Sequence, residues 1–281
     1  CRHIRQSGDP VTSLAILLVT ASGLAHSVWN LLAKKSRDKA VFLWLIFSFT
    51  TIPLLPYLVW ELIHADGGRV TLVLSFAFQA AYGLLLSLSY REGDMSQVYP
   101  IMRGTGMFLV PLLGMLIWHE SLSVWGWLAL LIMLLCFFSL SGWPAPGKRV
   151  AMRPVLLALG VGLCTAGYVT MDKFNLQHLS ALSLLALGNL GVMAALTPAA
   201  LRKGKLRAEW TGRWKQTLAG AVLSPGSYLL FLLAIPYAPI GLISPIRECG
   251  TVFAAIFGVL LLKESQASAG SCHLRSWRRR S

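Results

Sequence analysis
Apolar stretches long enough to cross a lipid bilayer dominate this chain and limit what it can fold into. A helix needs about 20 mostly apolar residues to span roughly 30 Å of hydrocarbon, and its backbone polar groups must be satisfied within the segment. Nine such stretches are read here: residues 11–33, 40–60, 70–90, 95–118, 124–142, 154–174, 181–201, 217–235 and 240–262. The composition agrees, with 56% hydrophobic and 13% charged residues, where soluble domains carry about 25% charged. An all-α, multi-pass membrane protein of the inner or plasma membrane is expected.

The formal charge of +14 would suggest nucleic acid if the chain were soluble. Its positive residues lie between spans and in the tail, so membrane topology accounts for them and no nucleic-acid partner is expected. The cysteines Cys1, Cys136, Cys164, Cys249 and Cys272 form no CxxC pair and no His/Cys metal spacing, and they read as inert thiols. No signal-peptide pattern precedes the first span, which is long enough to remain in the membrane. No Walker loop, dinucleotide fingerprint, metal motif or Ser/His/Asp set stands in a credible context. No enzyme, cofactor or catalytic residue is therefore expected.

One stretch occurs twice. Tyr99 to Ser121 read YPIMRGTGMFLVPLLGMLIWHES, and Ser244 to Ser265 read SPIRECGTVFAAIFGVLLLKES. Arg103 aligns with Arg247, Gly106 with Gly250, Gly114 with Gly258 and Glu120 with Glu264; a one-residue gap restores Pro100 to Pro245. Elsewhere Gly23 pairs with Gly162, Trp29 with Tyr168, Lys34 with Lys173 and Tyr82 with Tyr228. The chain thus divides into a first five-helix repeat (11–142), an inter-repeat loop (143–153), a second repeat (154–265) and a polar basic tail (266–281). Nine transmembrane helices are expected and the tenth is missing, which reads as a truncated or frame-shifted end, with a basic regulatory tail as the alternative.

Matching loops carry opposite charge bias. Lys34, Lys35, Arg37 and Lys39 follow the first span, whereas Lys173 alone follows the sixth. The link between spans seven and eight holds Arg202, Lys203, Lys205, Arg207, Arg213 and Lys215, against Arg69 alone in its counterpart. The positive-inside rule then makes the two repeats inverted relative to each other; the same count puts the basic links in the cytoplasm and the amino end outside, while Arg2 and Arg5 argue for the opposite direction.

On the motifs HSVWNLLAKKSRDKAVFLWL from His26, GDMSQVYPIMRG from Gly93, APIGLISPIRE from Ala238, and the exits GMLIWHES and GVLLLKES, the chain resembles the EamA-like branch of the drug/metabolite transporter superfamily. The resemblance implies ten helices in two inverted five-helix repeats, a central substrate path between the halves, and alternating access. The first-span motif is similar to that of members associated with phosphonate utilisation.

Candidate path residues are His26, Trp29, Asn30, Tyr82, Tyr99, Arg103, Tyr168, Tyr228, Arg247 and Glu248. An arginine inside a span costs several kcal/mol unless it snorkels, meets water or finds a partner. Arg103 and Arg247 either line the path and attract a carboxylate or phosphate, or snorkel, with Glu248 neutralising Arg247. His26 and Asn30 share a helix face; their polar groups bond substrate, or His26 takes a coupling proton, the alternative being that His26 is a satisfied packing residue. Trp29 reads equally as an interfacial anchor. Tyr82 and Tyr228 line the cavity or bond to another helix. Glu120 and Glu264 read as solvated helix ends. The expected function is secondary active export of a small metabolite; the alternative is a non-transporting membrane protein or an inactive transporter remnant.

Overall fold
The computed structural model describes residues 10–34, 36–93, 95–140, 151–202, 204–248 and 250. Among these residues the secondary structure is helical: α1 (Pro10–Lys34), α2 (Lys39–His64), α3 (Arg69–Glu92), α4 (Met95–Trp118), α5 (Val124–Leu140), α6 (Met152–Asn175), α7 (Ala181–Ala200), α8 (Lys205–Ala234) and α9 (Ile240–Glu248), with one 3₁₀ turn, Ile235–Tyr237. Seven of them have the length and hydropathy to cross a bilayer. The helix α5 has 17 residues. The rest of the expected ninth span, with Gly258 and Glu264, lies outside the described residues, as do Cys1, Cys249, Cys272 and the tail.

The distribution of side chains suits lipid on the outside. Leu17, Ile63, Val70 and Val222 are each at least 67% exposed, whereas Ser22, His26, Gln79, Asp172 and Asn175 are buried among the helices. A water-soluble domain would do the reverse, because hydrocarbon cannot hydrogen-bond a polar group.

The principal contacts obey a simple exchange. α1 packs on α8 and α9, as α6 packs on α3 and α4; α2 packs on α8, as α7 packs on α3; α2 meets α7, and α4 meets α9. Replacing each helix by the one five places away leaves this pattern unchanged.

The closest crossings obey it too. A Cβ on Gly23 would stand 2.8 Å from the Arg247 carbonyl, against Gly250; one on Gly162 would stand 2.5 Å from Thr105 Cβ and 3.0 Å from Gly106 N. Gly23 and Gly162, and likewise Gly250 and Gly106, are the pairs the sequence alignment matches. Small residues here let two backbones approach closely. Gly23→Ala and Gly162→Ala are each expected to cost about 1–3 kcal/mol through overpacking, read as lowered thermal stability in detergent. Wild-type stability in both variants would contradict these crossings.

Contacts between links sort into two rims. At one, Lys205 Nζ lies 2.6 Å from Asp38 Oδ2, Glu209 accepts from the Arg37 and Asp38 amides at 3.3 and 3.2 Å, and Arg153 Nε reaches Glu92 at 3.1 Å. At the other, Glu61 accepts from the Ser180 amide at 2.9 Å, and Glu120 meets Lys173 and the start of α9. Successive helices therefore run antiparallel. α1 starts at the second rim and α6 at the first, so the two sets of helices are inverted. The first rim carries the basic links, which the positive-inside rule assigns to the cytoplasm.

Two local expectations change. The basic stretch 202–215, read as a loop, is helical from Lys205, with a break at Arg213 (φ −149°, ψ 26°). Glu209, 1% exposed, anchors it by accepting from the backbone ahead of α2. Asp38 caps α2 by accepting from the Ala40 and Val41 amides at 3.1 and 3.4 Å. Burial opposes its ionisation, but the hydrogen bonds from Lys205, Val41 and Ala40 outweigh burial and hold its carboxyl below the ordinary value.

Candidate functional site
Helix α1 is the spine of the site. Ser22 and His26 lie one turn apart, so they share a face, and each meets one of the repeated arginines. Ser22 donates to the Ser227 carbonyl at 2.6 Å and receives Arg247 Nε at 3.1 Å, while Ser227 Oγ donates back to the Ser22 carbonyl at 2.9 Å. One turn further along, Arg103 Nη2 approaches His26 Nε2. Because α4 and α9 enter from opposite rims, the two arginines reach α1 from opposite sides.

Arg103 is held from three directions. Its Nη1 donates to Glu248 Oε1 at 3.3 Å, its guanidinium lies 5.3 Å from the Tyr99 ring centre, and His26 closes the third side. The side chains of Arg103 and Glu248 are 12% and 9% exposed. One of the two sequence readings had Glu248 neutralise its neighbour Arg247; among the described residues it forms an ion pair with Arg103 of the other repeat. Sequence adjacency on a helix turns two side chains to different faces, which is why the pair forms between helices.

Arg247 is 7% exposed and has no carboxylate partner among the described residues. Ser22 takes its Nε, and the rings of Tyr228 and Phe231 lie 5.4 and 4.9 Å from its guanidinium carbon. Tyr82, Tyr168 and Tyr228 form a row, with edge-on contacts of 5.7 and 5.6 Å between ring centres.

A cavity of about 50 Å³ opens among these groups, lined by His26, Trp29, Tyr82, Arg103, Tyr168, Tyr228 and Arg247, with Gln79, Asn189 and Ser224 adding polar atoms. This is room for a few waters and far less than the roughly 300 Å³ of typical small-molecule sites. A smaller cavity on the other side of Arg103 is bordered by Tyr90, Tyr99 and Glu248. Arg103 is thus a wall shared by both cavities.

Seven of the ten sequence candidates border the first cavity, and Tyr99 and Glu248 the second. Asn30 borders neither: it donates to the His26 carbonyl at 2.9 Å and to Tyr99 Oη at 3.5 Å, so it positions its neighbours. Trp29 is not an interfacial anchor. It is 6% exposed, and its indole N–H donates to His26 Nδ1 at 3.2 Å.

Glu120 corrects the expectation of a solvated helix end. Its side chain is 9% exposed, forms an ion pair with Lys173, and accepts from the Ile240 and Gly241 amides at 3.1 and 2.9 Å. A carboxylate at the N-terminus of α9 satisfies amides that no earlier turn can reach. Gly114 leaves room for it, since a Cβ there would lie 2.6 Å from Glu120 Oε2. Lys173 in turn packs over the Trp118 ring at 4.4 Å.

Sequence reading passed over Asp172, Gln79 and Asn189. Asp172 and Glu248 are the acidic residues inside the predicted spans, and the rule that flags intramembrane charges would have picked out Asp172. Gln79 and Asn189 give no such signal, because amides are not rare enough in membrane helices.

Residues 152–268 match the family model described as EamA-like transporter family. Residues 152–268 are thus similar to an EamA-like domain. No curated protein matches the chain. The EamA-like match begins at Met152, the first residue of α6. Both arginine environments depend on it, because Arg247, Glu248, Tyr168 and Tyr228 all belong to the matched range. The chain is accordingly a multi-pass membrane protein whose residues 152–268 match a transporter-family model.

Proposed function
We propose that this EamA-like protein is a secondary transporter that moves a small anionic metabolite outward by alternating access between two inverted repeats. The observation that carries the reading is Arg247: a buried guanidinium at the polar cavity, held by a hydroxyl and two ring faces, with no carboxylate partner among the described residues. A buried charge without a counter-ion is costly, and a carboxylate or phosphate in the cavity would supply one through charge-assisted, bidentate hydrogen bonds. Arg103, already paired with Glu248, would serve as the movable wall between the two cavities. The narrow cavity corresponds to a closed stage of the cycle, and rocking of one helix set against the other would enlarge it. The exchanged contacts offer two symmetry-related helix groups as the moving units, α1 with α8 and α9 against α6 with α3 and α4.

The test is reconstitution of the full chain in liposomes with radiolabelled succinate, glutamate, inorganic phosphate and methylphosphonate. Saturable exchange of at least one of these anions is expected, falling at least about ten-fold in Arg247→Gln while the variant inserts normally; ten-fold corresponds to about 1.4 kcal/mol, within reach of one charge-assisted hydrogen bond. Exchange of cationic or neutral metabolites alone, or anion flux unaffected by Arg247→Gln, would refute the anion reading.

A further inference from the structure
The structure holds a second ionisable centre that the arginine site does not use. Asp172 of α6 is 0% exposed. Ser75 Oγ of α3 donates to its Oδ1 at 2.5 Å, and Tyr228 Oη of α8 donates to its Oδ2 at 2.5 Å. No cation pairs with it among the described residues. The neighbouring charges are otherwise engaged: Lys173 pairs with Glu120 just beyond α4, and Arg247 of α9 lies against the Tyr228 ring with its Nε on Ser22. Asn175, one turn along α6, donates to the Thr71 carbonyl at 3.2 Å, and Tyr168, one turn back, stands edge-on to Tyr228.

We propose that Asp172 is a proton-binding site that couples proton movement to the anion site through Tyr228 and Arg247, a role that rests on the transport reading above. Three observations converge on it. First, a carboxyl held by two hydroxyls and no cation can change protonation without stranding a buried partner. A hydroxyl both donates and accepts, so Tyr228 or Ser75 donates to the carboxylate and, after a half-turn of its O–H, accepts from the acid. The proton that arrives resides on Asp172, and Tyr228 keeps its own.

Second, the duplication does not require this group. At the spacing that pairs Gly23 with Gly162 and Lys34 with Lys173, the counterpart of Asp172 is Ala33. The same architecture is therefore built on the other side without an acid. A buried carboxyl carried by one repeat alone costs stability that packing does not demand.

Third, the alternative carrier is poorly placed. Both ring nitrogens of His26 face groups that can only donate, Trp29 Nε1 and Arg103 Nη2. An imidazolium would turn two N–H groups against two donors, one of them a guanidinium. The expectation that His26 takes the coupling proton therefore gives way to Asp172. The carboxyl also lies near the rim opposite the basic links, since α6 ends three residues later at Asn175. With the basic rim cytoplasmic, protons would enter from the outer side. Tyr228 then links the two centres, with its hydroxyl on Asp172 and its ring face on Arg247.

Infrared difference spectroscopy between acidic and neutral pH, on the full chain in liposomes with isotope-labelled aspartate, tests the site directly. The wild-type chain is expected to show an aspartic acid C=O band that fades as pH rises, and D172N to lack it. S75A and Y228F each remove one hydroxyl and are expected to shift the band to higher wavenumber, which decides the matter if D172N does not fold. No titrating band in the wild type, or one unchanged in all three variants, would overturn the proposal. In the same vesicles, a gradient of about one pH unit should drive up to about ten-fold accumulation of succinate or inorganic phosphate if one proton moves per anion. D172N should accumulate neither, and accumulation retained by D172N overturns the coupling role. Absence of flux for both probes in the wild type would instead overturn the transport reading, with the infrared bands still deciding whether Asp172 binds a proton.

Discussion

Arg103→Ala alone should destabilise the chain by about 3–5 kcal/mol, and the double variant Arg103→Ala/Glu248→Ala should recover most of that loss without recovering flux. The single change leaves the Glu248 side chain, 9% exposed, without the guanidinium that meets it at 3.3 Å. Stranding one member of a buried pair is far more costly than removing both, because the penalty is that of an uncompensated charge in a medium that cannot solvate it. Stability would be read as the midpoint of denaturant unfolding in detergent, and flux in liposomes. Additive losses in the double variant would show that the two residues do not act as a pair. Recovery of both stability and flux would show that Arg103 matters only to folding.

The second large effect is expected at Glu120. Glu120→Ala removes the partner of Lys173 and the acceptor of two α9 amides at once, and a loss of about 3–5 kcal/mol is predicted. Glu120→Gln keeps an acceptor for the amides but not the charge, so it should fall between wild type and alanine. Adding Lys173→Met to Glu120→Gln should restore part of the loss by removing the stranded ammonium. Equal stability of Glu120→Ala and wild type would mean that the helix exit is solvated after all. Arg103 is on α4 and Glu120 just beyond its end, yet they stabilise different contacts: Glu120 seats the start of α9, Arg103 its far end at Glu248.

These two residues show how far sequence could be read. Arg103 was conspicuous because a charge in an apolar helix is rare, and its repetition as Arg247 made it more so. No partner for it could be read from sequence: proximity along the chain offered Glu248 to Arg247 as one alternative, while the fold brings Glu248 across to α4. Glu120 lay at an apolar segment's exit, where most carboxylates meet water. Nothing local says that the first turn of α9, about 120 residues later, needs an acceptor there. Asp172 was legible by the same rule that flags Arg103, as an acid inside an apolar span, but its partners Ser75 and Tyr228 lie on other helices.

Apolar length and its periodic return were enough to establish a helical membrane protein, because hydrocarbon leaves the backbone so few alternatives. Loop charges were enough to infer inverted halves, because translocation is sensitive to lysine and arginine near span ends. The choice of partners for each buried polar group came only with the packed bundle. Ser22 with Arg247, His26 with Arg103, Tyr228 with Asp172 and Glu120 with α9 are all contacts between helices distant in sequence. Their energies depend on distances of a few ångström that no local pattern encodes, and in a medium without water those distances decide which charges are compensated and which remain available to a ligand or a proton.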